Sequence, residues 1–223
     1  MKKYDLLYCI GDSFVYAIDQ ADDVNHEITE NNRFTNLVSN HYDLKCVNHA
    51  VPGISNEYIA KKLYSDIINF KSQGINPLVF VAYTDPWRTE IYSNKNNVAA
   101  TMTESTVSFF KEYLVEHHND QYVLDRTIYN VLSVRTLLNY FSFDFIDSWV
   151  FYYSGPAGPY KNDIPYISNK QEIQEPLKDI AGVDRYILSS DNNIITYGHP
   201  NIIGHAKIAN TIIEKINTLY GTR

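Results

Sequence analysis

Leu6-Leu7-Tyr8-Cys9-Ile10-Gly11-Asp12-Ser13 is the stretch on which the fold turns. Five apolar residues follow one another without a polar interruption and stop at a glycine. A half-exposed strand would alternate, and a surface helix would turn polar every third or fourth residue. A short continuous run of this kind fits a strand covered on both faces, as in a parallel sheet. Gly11 lets the chain turn sharply at the strand end. The residues just beyond, Asp12 and Ser13, are then held at the rim of the sheet.

Working outward, apolar runs alternate with helical patterns. Arg33 to Tyr42 reads as a helix, Leu44 to Val47 as a second strand, and Ser55 to Phe70 as an amphipathic helix capped by Ser55. Pro77 to Tyr83 is the clearest central strand, with its proline at the first position, where a strand tolerates one. A polar connection, Asp85 to Thr101, is long enough to suggest a functional loop. Helices are expected over Glu104–His117 and Tyr122–Tyr140, and a strand over Asp147–Tyr153. Ser154 to Asp184 is irregular and reads as a second binding loop; Pro200 to Leu219 is a final helix. This order implies one domain with a mostly parallel sheet between two layers of helices. Ligands in such folds bind beyond the carboxyl ends of the strands. Those ends are Gly11-Asp12-Ser13, Asn48 to Asn56, and Thr84-Asp85.

The bulk properties set limits. The chain has 223 residues and a formal net charge of −7, and its Lys and Arg residues are scattered, which argues against nucleic acid and anionic membrane as partners. No stretch approaches the ~20 apolar residues of a membrane span. The two cysteines, Cys9 and Cys46, lie in apolar runs and read as buried thiols of a reducing compartment. With no secretory pattern at the start, the expected location is cytoplasmic. The 19 tyrosines suit either ordinary half-buried positions or a surface that stacks flat ligands such as sugars. Oligomeric state is not encoded in any of these features.

Four segments carry possible chemistry, and each has a plain structural alternative. Gly11-Asp12-Ser13 presents a hydroxyl at a strand end; it is also what a helix-capping turn looks like. Ala50-Val51-Pro52-Gly53-Ile54-Ser55-Asn56 offers a glycine amide to a ligand, with Asn56 as a brace; it is also a generic strand-to-helix connection. Ala82-Tyr83-Thr84-Asp85 ends the central strand, and Asp85, Trp87 and Arg88 could line a pocket there; the alternative is a polar loop with an Arg88–Glu90 ion pair. Gly198-His199-Pro200 places a histidine just before the last helix, since Pro200 suits its first turn. His205 falls inside that helix and is expected to pack. The two histidines lack metal-ligand spacing and a third ligand, so no metal site is expected.

Taken in order, these segments resemble the blocks of the GDSL/SGNH hydrolase family. Gly11-Asp12-Ser13 resembles the first block, with Ser13 as nucleophile. Gly53 matches the glycine of the second. Ala82-Tyr83-Thr84-Asp85 matches the third, Gly-x-Asn-Asp, in part, and Thr196-Tyr197-Gly198-His199-Pro200 matches the last, Asp-x-x-His with a following Pro. Gly204-His205 is also usual there. Thr84 replaces the family's oxyanion-hole Asn, and Thr196 replaces the acid that orients the histidine. The resemblance implies a three-layer α/β/α fold of flavodoxin-like type, with about five strands. It also implies no cofactor, and acyl-ester chemistry on a small-molecule or carbohydrate ester.

A serine hydroxyl is a weak nucleophile at neutral pH and needs a base. His199 can take its proton and return it to the leaving alkoxide. The amides of Ser13 and Gly53, with the Thr84 hydroxyl, would stabilise the oxyanion. The partner of His199 is either Asp191, the nearest acid upstream, or no acid at all, with Thr196 or a carbonyl holding the ring. Asp12, Asn56, Asp85, Trp87 and Arg88 remain substrate-pocket candidates. The alternative function is a degenerate relative that binds glycans or acyl ligands without turnover. A nucleotide- or flavin-binding protein is a third class, and the chain lacks the Gly-rich phosphate loop that it needs.

Overall fold

The structure, a computed structural model, describes residues 3–16, 30–84, 86, 88, 90–92, 99–101, 120–149, 195–196 and 199–221. Its elements in chain order are β1 (Leu6–Ile10), α1 (Ser13–Tyr16), α2 (Phe34–His41), β2 (Lys45–Asn48), α3 (Asn56–Ser72), β3 (Pro77–Tyr83), β4 (Glu90–Tyr92), β5 (Ala99–Thr101), α4 (Asp120–Tyr140), β6 (Phe145–Trp149), β7 (Ile195–Thr196), β8 (His199–Pro200) and α5 (Ile202–Tyr220).

The central sheet is parallel, with strand order β2-β1-β3-β6. Among the described residues it has four strands. Side chains along β1 and β3 alternate between two cores, as the period of a strand requires. Leu6, Tyr8, Ile10, Val79, Val81 and Tyr83 face α3 and α4, meeting Ile59, Leu63, Ile67, Val131, Val134 and Leu138. Leu7, Cys9, Leu78, Phe80 and Ala82 face α2 and α5, meeting Phe34, Val38, Ala209, Ile212 and Ile216. Three layers result, and every residue of β1 and β3 is buried. This is the α/β/α architecture expected from the alternating apolar runs.

From β1 the chain passes to β2 on one side, and from β3 to β6 on the other. The loops that leave β1 and β3 therefore diverge above two adjacent strands. In such sheets that divergence opens a crevice at the strand ends. Gly11 makes the divergence compact. A Cβ there would lie 2.4 Å from Val15 Cγ2 and 3.0 Å from Ala82 Cβ, so only glycine lets the turn settle against β3.

Several boundaries differ from expectation. Asp85–Thr101 is not wholly irregular, because β4 and β5 pair antiparallel within it. Strand β6 starts at Phe145, two residues earlier than read. Pro200 is not in the first turn of α5; it pairs in β8, and Asn201 caps the helix by accepting from the Gly204 N–H at 2.9 Å. Strand β2 lies at the sheet edge and is only half-buried, so Cys46 is partly exposed while Cys9 is buried. The expected helix Glu104–His117 and the loop Ser154–Asp184 lie outside the described residues. No described helix is long and apolar enough to cross a membrane.

Candidate active site

Asp12 and Ser13 leave β1 directly over the divergence of the loops. Asp12 has no exposed surface and Ser13 is only 7% exposed, so the turn is sunk into the rim rather than standing on it. Asp12 Oδ1 accepts the Phe14 N–H at 3.0 Å, which ties the carboxylate across the start of α1. The capping role that the tripeptide allows is therefore real, and it belongs to Asp12.

The other carboxylate oxygen, Asp12 Oδ2, accepts two donors from the end of β3. The Thr84 hydroxyl donates to it at 2.8 Å and Arg88 Nη1 donates at 2.9 Å. The same Nη1 donates to Thr84 Oγ1 at 2.7 Å. Carboxylate, hydroxyl and guanidinium thus close a triangle. A carboxylate removed from water needs a counter-charge and hydrogen-bond donors; Arg88 supplies the first, and Arg88, the Thr84 hydroxyl and the Phe14 N–H supply the second. Glu90, the neighbour that sequence proximity offers to Arg88, forms an ion pair with Lys61.

This geometry corrects three sequence readings. A hydroxyl has one hydrogen to donate, and that of fully buried Thr84 is spent on Asp12, not turned toward an oxyanion. Asp12 is enclosed and lines no pocket. Asn56 is likewise buried, and its amide is used twice on one residue. Its Nδ2 donates to the Thr84 carbonyl at 3.0 Å, and its Oδ1 accepts the Thr84 N–H at 2.9 Å. Asn56 therefore braces the end of β3, where a strand that has run out of sheet partners would otherwise leave two buried backbone groups unpaired.

Gly53 takes φ +75°, in the left-handed region that glycine favours. It sits in the loop between β2 and α3, and that loop is fastened to the turn that carries Ser13. The Val51 N–H donates to the Gly11 carbonyl at 3.0 Å. Asn48 Nδ2 donates to the Val15 carbonyl at 2.8 Å and Asn48 Oδ1 accepts the Ala50 N–H at 3.0 Å. The Gly53 loop and the Ser13 turn are thereby one assembly.

His199 lies in β8, whose backbone packs against α1, the helix that begins at Ser13. Thr196 faces His199 directly across the β7–β8 register. The fold thus brings the two distant segments together at the backbone level. Asp85, Trp87 and Asp191 lie outside the described residues. His205 packs as expected: it is buried in α5, stacks on Phe34 at 5.8 Å, and accepts the Phe34 N–H at Nδ1 at 3.3 Å. Among the described residues no three His, Cys, Asp or Glu side chains gather as metal ligands would.

One participant escaped the sequence reading. Arg126, in the middle of α4, reaches over to the loop after β3. Its Nη2 donates to the Pro86 carbonyl at 2.7 Å and to the Arg88 carbonyl at 3.2 Å, while its Nε pairs with Glu57 Oε1 at 2.7 Å. Nothing local marks it, since one arginine on a helix is ordinarily a solvated surface residue.

No sequence-family profile matches this chain, and no curated protein matches it in sequence. Solved structures match in fold. A lipolytic protein of the G-D-S-L family from Veillonella parvula superposes with a TM-score of 0.50 at 12% identity, covering 96% of this chain and 98% of its own. A putative acylhydrolase from Bacteroides fragilis gives 0.53 at 13% identity, covering 98% and 89%. An acetyl xylan esterase, Est2A, from the rumen bacterium Butyrivibrio proteoclasticus gives 0.54 at 12%, covering 99% of this chain and 66% of its own.

Proposed function

We propose that this chain, whose fold is that of the GDSL/SGNH hydrolases, hydrolyses carboxylic esters through an acyl-enzyme on Ser13, with His199 as general base. The observation that carries the reading is the contact of β8, which begins at His199, with α1, which begins at Ser13. His199 takes the Ser13 proton as the oxygen attacks the acyl carbon. The tetrahedral oxyanion is held by the amides of Ser13 and Gly53, donors fixed before the reaction and so without reorganisation cost. Collapse expels the alcohol, which receives the proton from His199, and water repeats the sequence to free the acid. Thr196, opposite His199, holds the ring in a Ser–His dyad. The fold neighbours act, by name, on acyl and acetyl esters, which favours a short acyl ester, with an acetylated carbohydrate as the first substrate to try.

A fluorophosphonate probe and a short acyl ester test the reading together. The wild-type protein should be labelled at Ser13 and turn the ester over, and Ser13→Ala should do neither. A folded wild-type protein that resists the probe would favour a ligand-binding role instead.

A further inference from the structure

Resting on Ser13 as the nucleophile, we propose that Arg88 is a positioning residue: its guanidinium, carried on a backbone that Arg126 pins, clamps Asp12 and Thr84 into one bracket that sets the Ser13 turn.

Asp12 precedes Ser13 in the chain and grips the Phe14 N–H on its far side, so the carboxylate spans the nucleophile. Any movement of Asp12 moves Ser13. Asp12 has no exposed surface, and Arg88 is the cation paired with it among the described residues, at 2.9 Å. Removing that charge leaves a carboxylate that must find water, another donor or a proton. Each of these moves the turn.

Arg88 is itself held at both ends. Its Nη1 makes two bonds, to Asp12 Oδ2 and Thr84 Oγ1. The backbone on either side of it is pinned by the donations of Arg126 to the Pro86 and Arg88 carbonyls, and Arg126 is anchored to Glu57 on α3. A line of contacts therefore runs from α3 through α4 and the loop after β3 to the residue beside the nucleophile. Thr84 is the cross-piece. Its hydroxyl donates to the carboxylate and accepts from the guanidinium, and Asn56 fixes its backbone. The slot at the end of β3 is a bracket here, where an oxyanion donor had been expected.

A misplacement of about 1 Å can cost roughly 10²-fold in rate. Arg88→Gln should lower kcat on a short acyl ester by about that factor, leave KM within roughly 2-fold, and slow fluorophosphonate labelling of Ser13 in proportion. Arg88→Lys, which keeps the charge, should recover at least about tenfold of the loss. Thr84→Val should lower kcat comparably, and the Arg88→Gln/Thr84→Val double variant should be little worse than either single one, because both break the same bracket. Multiplying losses in the double variant would make Thr84 an independent oxyanion donor and overturn the proposal. So would an Arg88→Gln variant with unchanged kcat, or one altered in KM alone, which would put Arg88 in substrate binding. Ser13→Ala run alongside separates the two ideas: turnover without Ser13 removes the serine reading and the bracket with it, whereas a silent Ser13→Ala beside a fully active Arg88→Gln removes the bracket alone. If Arg88→Gln fails to fold, Arg88→Lys and Thr84→Val carry the test through the same kcat and labelling comparison.

Discussion

Two carboxylates, Asp12 and Asp66, each gather three donors and are nearly or wholly enclosed, yet they stand in different relations to the fold. Asp12 binds a backbone amide, a hydroxyl and a guanidinium from the ends of β1 and β3. Asp66 lies mid-way along α3 and binds the Tyr8 hydroxyl at 2.7 Å, His49 Nδ1 at 2.7 Å and Lys62 Nζ at 2.6 Å. The Asp66 group even contains a His–carboxylate pair, the fragment most often taken for half a triad. Its partners, however, join a strand to the helix covering it, whereas those of Asp12 join separate loops around an adjacent serine. The lesson is that position at the diverging strand ends, more than donor chemistry, separates a site from a structural clasp.

The largest effect that bears on this contrast is at Ser13 and His199. Each alanine variant should lose kcat on the order of 10³-fold or more, and the double variant should be little worse, because a nucleophile without its base is already silent. Steady-state rates on a short acyl ester give the answer; losses that multiply would mean the two residues work separately.

Asp66→Asn sharpens the contrast from the other side. Burial would raise the Asp66 carboxyl, but hydrogen bonds from Lys62, Tyr8 and His49 outweigh it and hold the group below the ordinary carboxylate range. Burial, and then the Asp66 charge, push the Tyr8 phenol up, so it stays a donor. A carboxyl lowered by folding contributes stability above its unfolded pKa, near 4, and loses it as pH falls through the folded value. The variant should therefore lose about 1–3 kcal/mol at neutral pH, lose proportionally less in acid, and keep kcat per folded molecule. Denaturant melts across pH, paired with active-site titration, read both. A collapse of kcat would make the Asp66 cluster part of the active centre.

The smallest effect is expected at Asp191. If Thr196 and the backbone hold His199, Asp191→Asn should change kcat only a few-fold. A fall of about 10⁴-fold, like that of a lost triad acid, would replace the dyad by a triad.

Strand β3 was legible to the residue, because a proline start and seven consecutive apolar side chains leave one solution. Ser55 as the cap of α3 was equally plain, its hydroxyl accepting the Tyr58 N–H. The start of α5 was misplaced because proline suits a first helical turn but suits an edge pairing too, and Asn201 is the stronger cap. The hairpin of β4 and β5 was hidden by strands of three residues, too short to show alternation. In the candidate site, Ser13 and His199 could be singled out from local pattern. The Asp12–Arg88 bond, between residues 76 apart, and the role of Arg126 could not, because a charge finds its partner in space and only the folded sheet sets which partners are near. Sequence proximity suggests Glu90 for Arg88, whereas the fold carries Arg88 to Asp12 and Glu90 to Lys61.

The parallel pairing of β1 with β3, and the contact of α1 with β8, have a consequence for the order of folding. A parallel partner cannot be reached by a hairpin, and such long-range pairings close late. Ser13, Arg88, Arg126 and His199 lie far apart along the chain, so no short segment holds them together. On the proposed reading, Ser13 meets its base only once β8 has docked on α1. Reactivity of the serine toward a fluorophosphonate should therefore return last in refolding, after the sheet has formed.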